Sequence, residues 1–281
     1  MRTLPVVVAT VLIAAPAAAR DAIPRDASPK ELLDYLKTGN DEARKEACKR
    51  LGARKDPSAI AAIGELVQKD PVMKVRAECI QALERIGPHP ASAAIIRAAL
   101  TSDPERKVRE EAADSLQDVD PEKGGEVAAQ VLAQEKEVGV RRKICNSIEH
   151  KAWKAADQAV AKVVSDVNES ADLRRSCLQA LLSIGSDAGY SIAHRMLLEE
   201  PNEDVRREAS AQIEHHPKAS SLEPLCKALK DPNSRVASNA AKGLKNLAMK
   251  EGAKCLREAA QQVKSDRQAG EMNKIAAELE R

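Results

Sequence analysis

Apolar residues recur along most of this chain with helical spacing, and the same pattern returns in seven near-copies. Each copy carries apolar or small side chains at positions −1, +3 and +7 around an anchor residue, which places them on one face of an α-helix. DPERKVREEAADSL, which starts at Asp103, is one such copy. Successive anchors are 31 to 33 residues apart, which is typical of a repeat protein. The anchors are Arg44, Arg76, Arg109, Arg141, Arg174, Arg206 and Ala237.

The sequence also marks where each anchored helix begins and ends. An acidic or other capping type of residue stands six positions before every anchor, and proline follows it in four copies. Because an N-cap side chain satisfies free amides and proline is tolerated at the first helical position, we predict that Asp103 caps its helix and Pro104 begins it. Stop signals at Gly87, Gly185 and Pro217 predict three helix ends.

A second helical pattern lies between successive anchored helices, for example ASAAIIRAAL at Ala91–Leu100. Each repeat is therefore predicted to be a first helix, a turn and an anchored second helix. One such pair cannot bury its apolar face alone, whereas stacked neighbours can. We predict an all-α fold, an α-solenoid of about seven stacked helical hairpins over residues 29–263. Residues 264–281 are expected to form a capping helix or a frayed tail.

The unit DPxxxVRxxAxxxLxxIG, present at Asp70–Gly87 with Cys79 at the alanine position, resembles HEAT repeats. It is most similar to the short HEAT-like repeats named after phycobilisome lyases. The resemblance implies second helices that line a concave side. It also supports a ladder in which each anchor arginine bonds an acidic residue or a helix end of its own or a neighbouring repeat, rather than a row of free cations. It implies little about chemistry, because one fold serves many functions.

Composition suits thin interiors between closely packed helices. Hydrophobic residues make up 43% of the chain but aromatic residues only 1%, so alanine, leucine, valine and isoleucine must fill the core. Charged residues make up 31% and the net charge is only +2. A nucleic-acid-binding protein usually has a clear basic excess, so we expect no nucleic-acid partner.

The N-terminal residues have the features of an export signal. Arg2 precedes the largely apolar run Leu4–Ala15, and Pro16 and three alanines follow. The run is too short to span a membrane, and the alanines fit a cleavage site. We predict a signal peptide at residues 1–19, a short linker at 20–28, and an exported protein, periplasmic or secreted, with no membrane span after cleavage. An uncleaved N-terminal anchor is the alternative.

The six cysteines fall into three pairs whose members are about one repeat apart. In an exported protein such cysteines can form disulfides between neighbouring repeats. They can also simply replace small core residues such as Ala112 and Ala209, and packed helix axes are usually farther apart than a disulfide allows. Both interpretations stay open for Cys48 with Cys79, Cys145 with Cys177, and Cys226 with Cys255.

Catalytic and metal-binding motifs are missing from the sequence. There is no CxxC or CxxxC pair, no GxSxG, no HExxH and no glycine-rich phosphate loop, and the adjacent His215 and His216 would chelate poorly. We therefore expect no enzymatic activity, no catalytic residue, no metal and no cofactor. The resemblance raises one alternative, a chromophore-lyase-like enzyme or accessory subunit. The predicted signal peptide and the lack of aromatic residues for a pigment groove argue against it.

The position after the anchor varies between repeats and is the best candidate for binding. It is arginine in three consecutive repeats, at Arg142, Arg175 and Arg207. Stacked second helices would place these about 8–10 Å apart, as a basic stripe for an acidic protein segment or an anionic polymer. The alternative is an ordinary solvated face, with Glu149 and Glu208 nearby.

These observations predict an exported scaffold that binds a protein partner of unknown identity through an extended concave surface. A purely structural spacer in an envelope assembly is another possibility. Trp153, the single tryptophan, is either an exposed interface anchor or a filler between repeats.

Overall fold

The computed structural model describes residues 22–281, so the predicted signal peptide lies outside the described residues. Sixteen α-helices form two rows within that part of the chain. The first helices of the repeats are α1 (Pro29–Thr38), α3 (Ile60–Lys69), α5 (Pro90–Ser102), α7 (Gly124–Gln134), α9 (Asp157–Ser165), α11 (Asp187–Glu199), α13 (Leu222–Ala228) and α15 (Glu251–Ala260). Short 3-10 turns precede three of them, at Pro57–Ala59, Lys154–Ala156 and Ala219–Ser221.

The second helices form the other row. They are α2 (Asp41–Ala53), α4 (Met73–Ile86), α6 (Arg106–Val119), α8 (Val138–Lys151), α10 (Ala171–Ile184), α12 (Glu203–His215), α14 (Ser234–Leu247) and α16 (Asp266–Leu279). Each second helix contacts its own first helix and the second helices on either side. The predicted all-α solenoid is confirmed. At its C-terminal end α15 and α16 form an eighth hairpin, in which Met272, Ile275 and Ala276 are buried.

The core consists of the apolar faces that the sequence pattern predicted. In all seven anchored helices the side chains at −1, +3 and +7 are at most 2% exposed. Val108, Ala112 and Leu116 of α6 are an example. Since each stripe packs against the next helix in the row, the repeats bury a continuous core that none of them could bury alone.

The helix starts differ from the prediction by two residues. Asp103 ends α5 instead of capping α6, which has Glu105 as its N-cap and begins at Arg106. The Asp103 carboxylate accepts the backbone N–H of Glu105 at 2.9 Å, and Asp70 makes the same bond to Val72. Aspartate and proline favour such a turn as strongly as they favour a helix start, so the sequence signal is shared by the two structures.

The predicted helix ends are confirmed. Gly87 and Gly185 follow α4 and α10 with φ angles of 98° and 75°, a backbone region that favours glycine. Helix α12 ends at His215, two residues before Pro217. Within residues 22–281, none of the helices has both the length and the apolar character that crossing a membrane requires.

Candidate functional site

The anchor arginines join each repeat to the next. Arg76 donates from Nε and Nη2 to the carboxylate of Asp103 at 2.7 and 2.9 Å, and from Nη1 to the backbone oxygen of Asp70 at 2.9 Å. One guanidinium therefore holds its own turn and the turn of the following repeat. Six such ion pairs are formed: Arg44–Asp70, Arg76–Asp103, Arg109–Glu135, Arg141–Glu169, Arg174–Glu200 and Arg206–Asp231.

The ladder predicted from the sequence is thus confirmed, and its side chains are largely buried in structural contacts. Burial opposes ionisation of Glu135, but the bonds from Arg109 and from backbone amides outweigh it and hold the pKa of Glu135 below its usual value. A carboxylate that already accepts bonds from the Arg109 side chain and from the backbone N–H groups of Lys136 and Glu137 has little capacity left for a ligand. The ladder ends after Asp231, because Ala237 replaces the seventh arginine.

One ladder position is irregular. Asn168 stands where other repeats carry the acidic residue, and the neighbouring Glu169 pairs with Arg141 instead, at 2.7 Å. The Nε of Arg141 is buried without an acceptor among the described residues. The turn between α9 and α10, residues 166–170, therefore supplies a carboxylate to Arg141 but no acceptor for its Nε.

The predicted basic stripe lies on three consecutive second helices, α8, α10 and α12, of which α10 contacts both others. Arg175 pairs with Asp172 on its own helix at 2.7 Å, and Arg207 pairs with Asp204 at 2.8 Å. Arg142 is exposed, and no carboxylate of residues 22–281 lies within 4.0 Å of its side-chain nitrogens. The charge of the stripe is accordingly neutralised in part at Arg175 and Arg207 and is most available at Arg142.

The adjacent helix α6 carries an acidic stretch, a surface that was not predicted from the sequence. The half-buried Glu110, Glu111 and Asp114 occupy this stretch. Glu110 lies 3.7 Å from Arg106 of the same helix, and Asp114 receives an ion pair of 2.5 Å from Lys143 of α8. Burial raises the pKa of Glu111, and the charges of Asp114 and Glu84 raise it further. The three acidic residues are visible in the sequence, but they indicate an acidic surface only when their positions on the same face of α6 are considered together.

The row of second helices therefore changes sign between α6 and α8. We call the exposed side of α6, α8, α10 and α12 the second-helix face. Its acidic part carries Glu110, Glu111 and Asp114, and its basic part carries the arginines of the stripe.

All six cysteines are paired in the structure. Cys48–Cys79 and Cys145–Cys177 join neighbouring second helices, with Cα–Cα distances of 5.1 and 5.0 Å, and Cys226–Cys255 joins two first helices at 5.6 Å. Small residues permit this approach. A Cβ added to Gly52 of α2 would lie only 2.6 Å from the Cα of Ala82 on α4. Of the two interpretations left open, the structure favours disulfides between repeats.

Trp153 is a filler between repeats. Its side chain is only 6% exposed, and the indole N–H donates to the backbone oxygen of Pro121 at 2.7 Å. Two consecutive glycines of α7 make room for the ring, because a Cβ on Gly124 or Gly125 would lie 2.6 Å from atoms of Trp153. An interface role for this tryptophan is therefore not supported.

A second polar cluster joins α11 to the turn after α12. His194 Nε2 lies 2.9 Å from the hydroxyl of Ser221, which is fully buried. The hydroxyl of Tyr190 donates to the backbone oxygen of His216, and Lys218 Nζ lies 4.6 Å from the Tyr190 ring centroid. Burial lowers the pKa of His194. Because the Ser221 hydroxyl is buried, we interpret this cluster as structural.

Comparison with family models matches HEAT repeats at residues 29–117 and 192–273. These ranges cover more than half of the chain, and the protein belongs to the HEAT-repeat family. The unmatched residues 118–191 contain Gly124, Gly125, Trp153 and the irregular turn at 166–170. A comparison with curated protein sequences gives no match.

Several solved structures have a similar course of the chain. The Escherichia coli protein YibA is 18% identical with a TM-score of 0.57, covering 89% of this chain and 93% of that protein. Importin beta is 12% identical with a TM-score of 0.58, covering 89% of this chain and 40% of importin beta. The CpcE–CpcF complex of phycocyanin lyase from Nostoc sp. PCC7120 is 15% identical over 92% and 97% of the two chains, with a TM-score of 0.47. For YibA and importin beta, identities this low show the fold alone.

Proposed function

We propose that this protein is a non-enzymatic scaffold that binds a protein partner along its second-helix face. The observation that carries the proposal is the change of sign along this face, from the carboxylates of α6 to the arginines of α8, α10 and α12. HEAT-type solenoids use extended curved surfaces of this kind for binding. We take the second-helix face to be the concave side of the solenoid, as the resemblance to HEAT repeats implies.

The charge pattern favours a protein segment over an anionic polymer. A uniform polyanion that reached Arg142 would meet repulsion from Glu110 and Glu111 on the adjacent helix. A polypeptide with acidic and basic side chains about one helix spacing apart, on the order of 10 Å, would match both parts. Arg175 and Arg207 can exchange their partners at small cost, because exposed ion pairs within one helix contribute only about 0.3–0.5 kcal/mol.

We also propose that the protein acts outside the cytoplasm, in a periplasm or in the extracellular space. The three disulfides support an oxidising compartment, because structural disulfides are rare where cellular thiols are kept reduced. The sequence of residues 1–19 supports the same location. In an exported scaffold these disulfides would link neighbouring repeats covalently.

Charge reversal tests the binding proposal. The variant Arg142→Glu, Arg175→Glu, Arg207→Glu should lose capture of its partner from the exported fraction of its source, quantified by mass spectrometry. The matched control is Lys69→Glu, Lys162→Glu, Arg195→Glu, which changes three exposed cations on first helices. The control should retain capture. Equal recovery of the same partner by both variants, with equal melting temperatures, would reject the second-helix face as the binding surface.

A further inference from the structure

We propose that Asn168 is an acceptor for N-linked glycosylation. Asn168, Glu169 and Ser170 form an Asn-x-Ser triplet whose middle residue is not proline, which is the acceptor pattern for this modification in exported proteins. The eight asparagines of the chain include no other Asn-x-Ser or Asn-x-Thr triplet. The position of this triplet in the fold makes it accessible, as the following contacts show.

The triplet lies in an enlarged and exposed turn. The connection between α9 and α10 has five residues, as does the one at 229–233, whereas the corresponding turns at 70–72, 103–105, 135–137 and 200–202 have three. Asn168 is exposed, and the side chain next to it, Val167, is 74% exposed. The acceptor residue is therefore accessible from solvent.

The side chains around Asn168 leave its amide available. Glu169 is directed into the ladder, where its carboxylate lies 2.7 Å from Arg141. Asn168 Nδ2 donates one hydrogen to Asp166 Oδ1 at 3.0 Å. A carboxamide nitrogen carries two hydrogens, so the second one has no role in this contact.

The reaction is compatible with the folded turn. Asn168 Nδ2 would attack C1 of an oligosaccharide carried on a lipid diphosphate. The N–C1 bond forms, the bond from C1 to the diphosphate oxygen breaks, and the lipid diphosphate leaves. The second amide hydrogen passes as a proton to a base of the transferase. The product is a secondary amide that still has one N–H, so the bond to Asp166 Oδ1 can persist in the glycosylated protein.

This inference rests on the export part of the proposed function. The protein with its own leader is expressed in its source, the exported and retained fractions are separated, and the peptide containing Asn168 is analysed by mass spectrometry. In the exported fraction we expect a sugar-containing mass increase on Asn168, and conversion of Asn168 to aspartate by an N-glycan amidase.

Three variants sharpen the test. Asn168→Gln and Ser170→Ala should lose the mass increase completely, and Ser170→Thr should keep it. Ser170 also caps α10 through Leu173 N–H at 3.3 Å, so Asn168→Gln and Ser170→Thr, which both retain a cap, separate loss of modification from loss of folding. Exported protein with unmodified Asn168 overturns the glycosylation site and leaves export standing. Protein found only in the cytoplasm overturns export and this inference together.

Discussion

Arg76 of α4 and Asp103, at the turn into α6, form a two-bonded ion pair across the boundary between two repeats. The Nε–Oδ2 and Nη2–Oδ1 distances are 2.7 and 2.9 Å, and the side chains are only 9% and 5% exposed. The same guanidinium holds the backbone oxygen of Asp70. The anchor arginine therefore couples the folding of one repeat to that of the next, which a solenoid needs because it has only nearest-neighbour contacts.

Removing one partner of this pair should be strongly destabilising. We expect Arg76→Met to lower the free energy of unfolding by about 3–5 kcal/mol, because it leaves the Asp103 carboxylate buried without its counter-charge. Arg76→Met combined with Asp103→Leu should recover much of this loss. Urea denaturation followed by circular dichroism measures both. Lys227→Ala, in the exposed pair with Glu223, is the control and should leave the stability nearly unchanged. A stability of Arg76→Met equal to wild type would contradict a structural ladder.

Trp153 and Gly125 give a second test. The substitution Gly125→Ala would bring a methyl group within 2.6 Å of the Trp153 Cβ, so the indole or α7 must move. We expect a loss of about 1–3 kcal/mol, as for other overpacked cores. The emission of Trp153, the single tryptophan, should shift to longer wavelength as the ring becomes more exposed.

A glycine in open space provides the matched control. Gly270 lies within α16, and a Cβ there would meet nothing within 4 Å. Gly270→Ala should stabilise the protein by about 0.5–1 kcal/mol, because alanine is the better helix former. If Gly125→Ala were also stabilising and left the tryptophan emission unchanged, close packing of Trp153 on α7 would be wrong.

The fold was predictable because one periodic signal recurs seven times in register. The stripe that includes Val108, Ala112 and Leu116 could be identified from spacing alone, and so could the ladder position of Arg109. The helix starts were wrong by two residues, because Asp103 and Pro104 fit a tight turn as well as a helix cap. The same residues, Asp103 and Pro104, are compatible with both local structures, and the contact with Arg76 from the preceding repeat selects the turn.

Contacts between different repeats were harder to predict. Whether cysteines pair depends on a close approach of α2 and α4 that Gly52 and Ala82 allow, and the location of Trp153 depends on glycines about 30 residues earlier in the chain. The charge of the second-helix face also depends on neighbouring residues. Arg175 and Arg207 have carboxylates three residues before them, whereas Arg142 has Gly139 at that position and is left without a partner on its own helix.

The disulfides should contribute substantially to stability. Cys145→Ala combined with Cys177→Ala opens a covalent link between residues 32 apart in sequence. We expect a loss of about 3–4 kcal/mol, since the link restricts the unfolded chain. Denaturation by urea without reductant measures it. Alkylation of the denatured wild-type protein should find no free thiol before reduction and six afterwards. Six reactive thiols before reduction, in protein from the exported fraction, would be incompatible with the pairing.

His194 should make stability depend on pH. Burial keeps its folded-state pKa below the usual 6.5, and the ammonium group of Lys218 lies over the neighbouring Tyr190 ring. Below pH 6.5 the unfolded chain gains a proton that the folded protein resists, so the free energy of unfolding should fall as pH drops from 7 towards 5. His194→Gln should reduce this slope, whereas the exposed His150→Gln should keep it. The measurement is urea denaturation at several pH values, with the His194 ring followed by NMR. An identical slope in wild type and His194→Gln would show that this histidine does not set the acid sensitivity of the solenoid.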